Sequence, residues 1–243
     1  MSTREIIVNK LNKEKNKFLA GWVGVHIVGW YLGPLIGFCG GTLFFARISS
    51  IAPQSAIFDA ISTFFIWTTH GAWIGIAQFF ILKKWKIQPF LWIIATSLSW
   101  GISATIIVWY HDNVFVEQFG YSITYKYWFY GIGIFLIGLS VGFAQVTVMG
   151  NAFSKRGLWV LANASGLVLC VLASFGILYL LIPLLPSEAG IGARDFDFLI
   201  DIIFLFTLPL PGIIPALATG LYLINFCFDS AIRNDDAFSV ESY

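Results

Sequence analysis

The sequence predicts an all-α integral membrane protein. Six transmembrane helices form three pseudo-repeated parallel helical hairpins, with the N and C termini cytoplasmic. Three observations carry this: the composition, the spacing of the apolar runs, and a repeat in the small and polar residues. Of 243 residues, 58% are hydrophobic and 11% charged, against roughly a quarter charged in an ordinary soluble domain. Mean hydropathy is +0.81. A single soluble core stops growing at about this chain length and cannot hide so much apolar surface. Composition thus excludes a soluble enzyme, a disordered chain and, with a formal net charge of only +1, a nucleic-acid binder.

A helix needs about 20 mostly apolar residues to cross the hydrocarbon layer. Six stretches qualify, at about 18–46, 58–82, 88–110, 127–150, 158–184 and 197–227. They are continuously apolar and do not alternate with period two, which excludes a β-barrel. Residues 1–17 are a polar, basic cytoplasmic segment with no secretory signal, 18–228 the membrane domain (hairpins about 18–83, 88–150 and 158–227), and 229–243 a cytoplasmic tail. Orientation follows from the basic residues. Arg4, Lys10, Lys13, Lys15, Lys17, Lys83, Lys84, Lys86, Lys155, Arg156 and Arg233 fall on one side, and only Arg47, Lys126 and Arg194 on the other. Trp22, Trp92 and Trp159 each sit just inside a cytoplasmic helix start, where an amphipathic ring suits the interface. The outer face is acidic, with Asp59, Asp112, Glu117, Glu188, Asp195, Asp197 and Asp201.

The odd helices share a template of Trp, then small residues three and seven positions on, then a ring or Leu. The copies are Trp22, Val25, Gly29, Trp30; Trp92, Ala95, Ser99, Trp100; and Trp159, Ala162, Gly166, Leu167. The small stripe continues through Gly33, Ser103 and Cys170. The even helices read Gly-x-x-x-Gly-x-x-Gln-x-x-x-Leu: Gly71, Gly75, Gln78, Leu82; then Gly138, Gly142, Gln145, Met149; then a degenerate Ala216, Gly220, Leu223. Small residues four apart share a helix face and let backbones approach, which is how helices associate in lipid. Gly29, Gly33, Gly71, Gly75, Gly138, Gly142, Gly166 and Gly220 are therefore expected at helix contacts.

The run Gly71–Trp85, GAWIGIAQFFILKKW, followed by Trp92–Gly101, WIIATSLSWG, resembles a loosely defined set of bacterial, cyanobacterial-type membrane proteins. In that set, Gly-x-x-x-Gly-x-x-Gln-Trp helices alternate with Trp-x6-Gly-Trp helices. The resemblance covers residues 18 to about 167 and fades over the last hairpin. Phe79 and Val146 stand where the set has Trp, and the third Gln is missing. It implies the architecture and a bacterial plasma or thylakoid membrane, and it carries no activity. The Pro-x-acidic-x-x-basic signature of mitochondrial-type carriers is absent from the odd helices.

Intramembrane polar groups are where function is sought in such a chain. His26, Thr96 and Asn163 occupy equivalent positions on the odd helices, and Gln78 and Gln145 lie at similar depth on the even ones. Together they make a candidate polar cluster, read as interhelical hydrogen-bond glue or as a small-molecule pocket. His26 and His70 are candidate axial ligands for haem b or another pigment, with His111 out of reach in an external loop. Pro209, Pro211, Gly212 and Pro215 predict a kinked or broken sixth helix, a feature that recurs at transporter sites. Cys39, Cys170 and Cys227 lie far apart without metal-ligand spacing. No catalytic motif is present.

The expected role is non-enzymatic: an accessory or scaffold subunit of a larger membrane assembly, with the lipid bilayer and other membrane proteins as partners. The rivals are a small-molecule transporter or binding protein and a haem- or pigment-binding protein.

Overall fold

The computed structural model describes residues 3–49, 56–83, 88–119, 123–149, 155–181 and 209–225. Among these the chain is all-helical, with no strand. Six long helices follow one another: α1 (Thr3–Ser49), α2 (Ala56–Leu82), α3 (Pro89–Tyr110), α4 (Ile123–Val148), α5 (Arg156–Leu181) and α6 (Pro209–Leu223). The first five are long and apolar enough to cross a membrane. Helix α6 is shorter, at 15 residues. Residues 182–208, which hold the expected start of the sixth span and Asp201, lie outside the described residues.

Three local features depart from the sequence expectation. First, α1 starts at Thr3, so the helix begins well before the apolar run at 18 and the basic residues form its first turns. Its residues are mostly good helix formers, and nothing between Lys17 and Phe18 breaks the pattern. Second, α3 does not stop in a loop. It passes through one π-helical turn, His111–Phe115, into a further helical turn, Val116–Phe119. His111 is buried there, against Phe115 and Phe129, and its Nδ1–H donates to Asp112 Oδ1 at 2.7 Å. Third, the proline-rich segment runs as a helix. Pro209 opens α6 and Pro211 falls in its first turn, where a backbone donor has no partner to lose. Only Pro215 lies inside. The same preference places Pro89 at the start of α3, after an extended Gln88.

Each helix packs on its neighbours in sequence, and α6 returns to α1. The described helices thus close a ring in chain order. Glycines set the approach of the helices. A β-carbon on Gly29 would lie 3.1 Å from Ile74 Cα, and one on Gly33 3.1 Å from His70 Cα, so α1 and α2 pack almost backbone to backbone. On α2, Gly71 and Gly75 meet Thr96, Ser97 and Ile93 of α3 in the same way. On α4, Gly138 and Gly142 meet Ala164 and Val160 of α5, whose Cα atoms would lie 2.6 and 2.8 Å from an added β-carbon. Gly166 of α5 faces Pro215 of α6. The ring closes where Gly212 meets Ile27 and the His26 carbonyl, and Gly220 meets Leu19 and Trp22.

The outward faces are apolar. Leu35, Ile57, Ile106, Leu172 and Leu180 are among many large exposed hydrophobics. In water such a surface would drive association. Against lipid it is the expected exterior of a membrane bundle.

Candidate functional site: a hydrogen-bonded tryptophan–glutamine ring

Trp22, Trp92 and Trp159 are each 0% exposed. They are not interfacial anchors, as their position near helix starts suggested. Their rings turn inward and meet, with centroids 6.4 Å apart for Trp22–Trp159 and 6.0 Å for Trp92–Trp159. Leu82, Met149 and Leu223 pack with them in one buried cluster. A tryptophan buried this fully needs a partner for its indole N–H, and each has one. Trp92 Nε1–H donates to Gln78 Oε1 at 3.0 Å, Trp159 Nε1–H to Gln145 Oε1 at 3.0 Å, and Trp22 Nε1–H to Thr219 Oγ1 at 3.0 Å.

One turn further along each odd helix, a polar side chain bonds back to the tryptophan carbonyl. These are His26 Nδ1 to Trp22 O at 2.9 Å, Thr96 Oγ1 to Trp92 O at 2.9 Å, and Asn163 Nδ2 to Trp159 O at 3.0 Å. The glutamines then link the helices. Gln78 Nε2–H donates to His26 Nε2 at 2.9 Å. Gln145 Nε2 donates to Thr96 Oγ1 at 3.0 Å and to Gln78 Oε1 at 3.2 Å. All five candidate cluster residues, His26, Gln78, Thr96, Gln145 and Asn163, therefore belong to one network that touches α1 to α5. Trp22 carries it to Thr219 on α6, whose hydroxyl donates to Pro215 O at 2.7 Å.

Chemistry fixes the orientations. An indole N–H only donates, so Trp92 and Trp159 define which end of each glutamine is oxygen. The amide nitrogen of Gln78 then faces His26 Nε2, which must accept. His26 Nδ1 faces a carbonyl and must carry the proton. His26 is thus a neutral imidazole with both nitrogens engaged. Both amide hydrogens of Gln145 are likewise used. Nothing in this cluster pairs a nucleophile with a base.

His70 belongs to a different environment. It is 1% exposed and lies among Trp30, Trp67 and Trp100, at ring centroid distances of 5.0, 5.6 and 4.8 Å. Its Nδ1 abuts Gly33. Neither ring nitrogen has a hydrogen-bond partner among the described residues, and neither does the Thr68 hydroxyl. The near-perpendicular ring packing, 75° to 89°, allows an N–H to point at an indole face, a weak contact. The two candidate ligands His26 and His70 thus lie in different surroundings: His26 is hydrogen-bonded at both nitrogens, and His70 is walled in by indoles. No group of three His, Cys, Asp or Glu that could hold a metal occurs among the described residues.

The expected register of the last even helix is one turn off. Gly71 meets Thr96 O, Gly138 meets Asn163 O, and the residue that meets His26 O is Gly212. Counting on from Gly212 puts Ala216, Thr219 and Leu223 in the places of Gly75, Gln78 and Leu82. The missing third glutamine is therefore Thr219, not Leu223, and Thr219 takes the indole bond. The sequence did carry a signal for the tryptophans: Gln78 precedes Trp92, and Gln145 precedes Trp159, by the same 14 residues.

Comparison with protein-family models, curated proteins and solved structures gave no match. What the fold and site define is a class: an all-helical protein with five helices long and apolar enough to cross a membrane, bound together by a buried tryptophan–glutamine network.

Proposed function

We propose that this chain is a non-enzymatic integral membrane protein, an accessory or scaffold subunit of a larger membrane assembly. Its six helices form three pseudo-repeated hairpins around an axis normal to the bilayer, with both termini cytoplasmic. The observation that carries the reading is the state of the polar cluster. A transport or binding site keeps polar atoms available for its ligand. Here the indole, amide and imidazole groups at the axis are spent on one another, and three tryptophans fill the space between them. A cluster so arranged ties helices together. The contact pattern supports the repeat: each odd helix carries a polar back-bond and a Trp that bonds the even helix of the neighbouring hairpin, with Thr219 in place of a third glutamine. The haem reading is weakened by His26, whose two nitrogens would have to give up Trp22 O and Gln78 to bind iron.

The reading is tested by thiol access. In a variant lacking its native cysteines, Gln145→Cys is expected to resist a membrane-impermeant maleimide applied from either side. The protein extracted in mild detergent is expected to emerge with defined membrane-protein partners. Rapid labelling of Gln145→Cys from one side would mean a wet axis and would favour a transporter.

A further inference from the structure

Outside the network, α1 and α2 leave an apolar groove of about 190 Å³ on the outer surface. Gly24, Val28, Leu32, Trp73, Ala77 and Phe80 line it. The groove exists because Gly24 is open: a β-carbon there would meet nothing within 4 Å. Val28 and Phe80 are more than half exposed, so the groove faces the surroundings of the bundle and not its interior.

The same face of α1 changes character toward its N-terminus. Lys10, Lys13 and Lys17 are exposed, and steps of three or four residues carry them onto the stripe of Gly24, Val28, Tyr31 and Leu35. From α2, exposed Lys83 follows Phe80 by one turn. The helices are antiparallel here, with Gly21 beside Ile81 and Gly29 beside Ile74. Lys17 and Lys83 therefore flank one end of the groove. Glu14 pairs with Lys17 at 2.9 Å, which leaves Lys10, Lys13 and Lys83 as the excess positive charge. Gly24 lies seven residues below Lys17, about 10 Å along the helix. The headgroup layer on each side of a bilayer is roughly 5–8 Å deep, and a lysine stem spans the rest.

We propose that this groove holds an anionic glycerophospholipid from the surrounding leaflet, an acyl chain lying against Gly24 and Val28 and the phosphate among the lysines. The apolar lining suits the chain, and the one-signed mouth suits the headgroup. The assignment does not depend on the scaffold reading, only on α1 and α2 crossing the bilayer.

The test is native mass spectrometry of the full chain released from detergent with added phosphatidylglycerol or phosphatidylcholine. The wild-type chain is expected to retain phosphatidylglycerol roughly tenfold better, given what a few lysines contribute near an anionic headgroup. A β-carbon at Gly24 meets nothing within 4 Å, so Gly24→Trp can lay its ring along the groove and is expected to remove that retention while the protein stays folded by circular dichroism. The triple variant Lys10→Gln, Lys13→Gln, Lys83→Gln is expected to retain both lipids alike. Equal retention of the two lipids by the wild type, or unchanged retention in Gly24→Trp, overturns the proposal. So does a second copy or another polypeptide on the α1–α2 face in place of lipid.

Discussion

Two histidines in this chain are equally buried and oppositely placed, and a substitution separates them. His26 accepts from Gln78 and donates to the Trp22 carbonyl. Replacing it leaves the Gln78 amide facing an apolar side chain, and a buried polar group left unpaired costs about 1–3 kcal/mol. His70 makes no hydrogen bond to be lost among the described residues, and leucine has about its volume. His26→Leu is therefore expected to lower the unfolding temperature in detergent, and His70→Leu to leave it nearly unchanged. A large loss on His70→Leu would show that the imidazole has a partner the apolar cage conceals. Thr219 carries a related lesson. It accepts the Trp22 indole as glutamine does for Trp92 and Trp159, but its side chain is too short to reach across to Asn163 as well. Helices α5 and α6 meet through other contacts. Gly166 against Pro215 and Trp159 against Tyr222 join them by packing.

At the scale of the element, the glycines divide into those that hold a helix pair together and those that do not. A β-carbon on Gly138 would sit 2.6 Å from the Cα of Ala164, which is backbone and cannot step aside. A β-carbon on Gly131, in the same helix, would meet nothing within 4 Å. Gly138→Ala is expected to destabilise by about 1–3 kcal/mol through forced separation of α4 and α5. Gly131→Ala is expected to be neutral or slightly stabilising, because alanine favours helix. Thermal unfolding of both variants in one detergent decides it, and equal melting temperatures would mean the α4–α5 approach is looser than described. The same scale explains α6. Pro209 and Pro211 fall in its first turn and cost no hydrogen bond, whereas Pro215 lies inside the helix and removes one backbone donor.

For the whole molecule, the ring closes through its ends: Trp22 near the start bonds Thr219 near the finish. If each hairpin crosses the bilayer twice, as proposed, both termini face one side, which the bias of the basic residues would make the cytoplasm. Cysteines introduced at Lys10 and Ser239 are expected to label with an impermeant maleimide only after the cytoplasmic face is opened. Labelling of one without the other would mean an odd number of crossings and would remove the threefold arrangement.

The all-helical class, most helix positions and the five residues of the polar cluster were legible in the sequence, because membrane burial demands long apolar runs and leaves few polar residues to choose among. Even the Gln-to-Trp spacing was there to be read. Direction and register were not. Tryptophan near a helix start is amphipathic enough for either the interface or the core, and only its neighbours show that all three turn inward. Small residues four apart keep the same face when a helix slides by one turn, so Ala216–Gly220 and Gly212–Ala216 match the pattern equally well. The choice between them belongs to the tertiary structure, since only the contact with the His26 carbonyl and the bond from Trp22 to Thr219 distinguish one turn from the next.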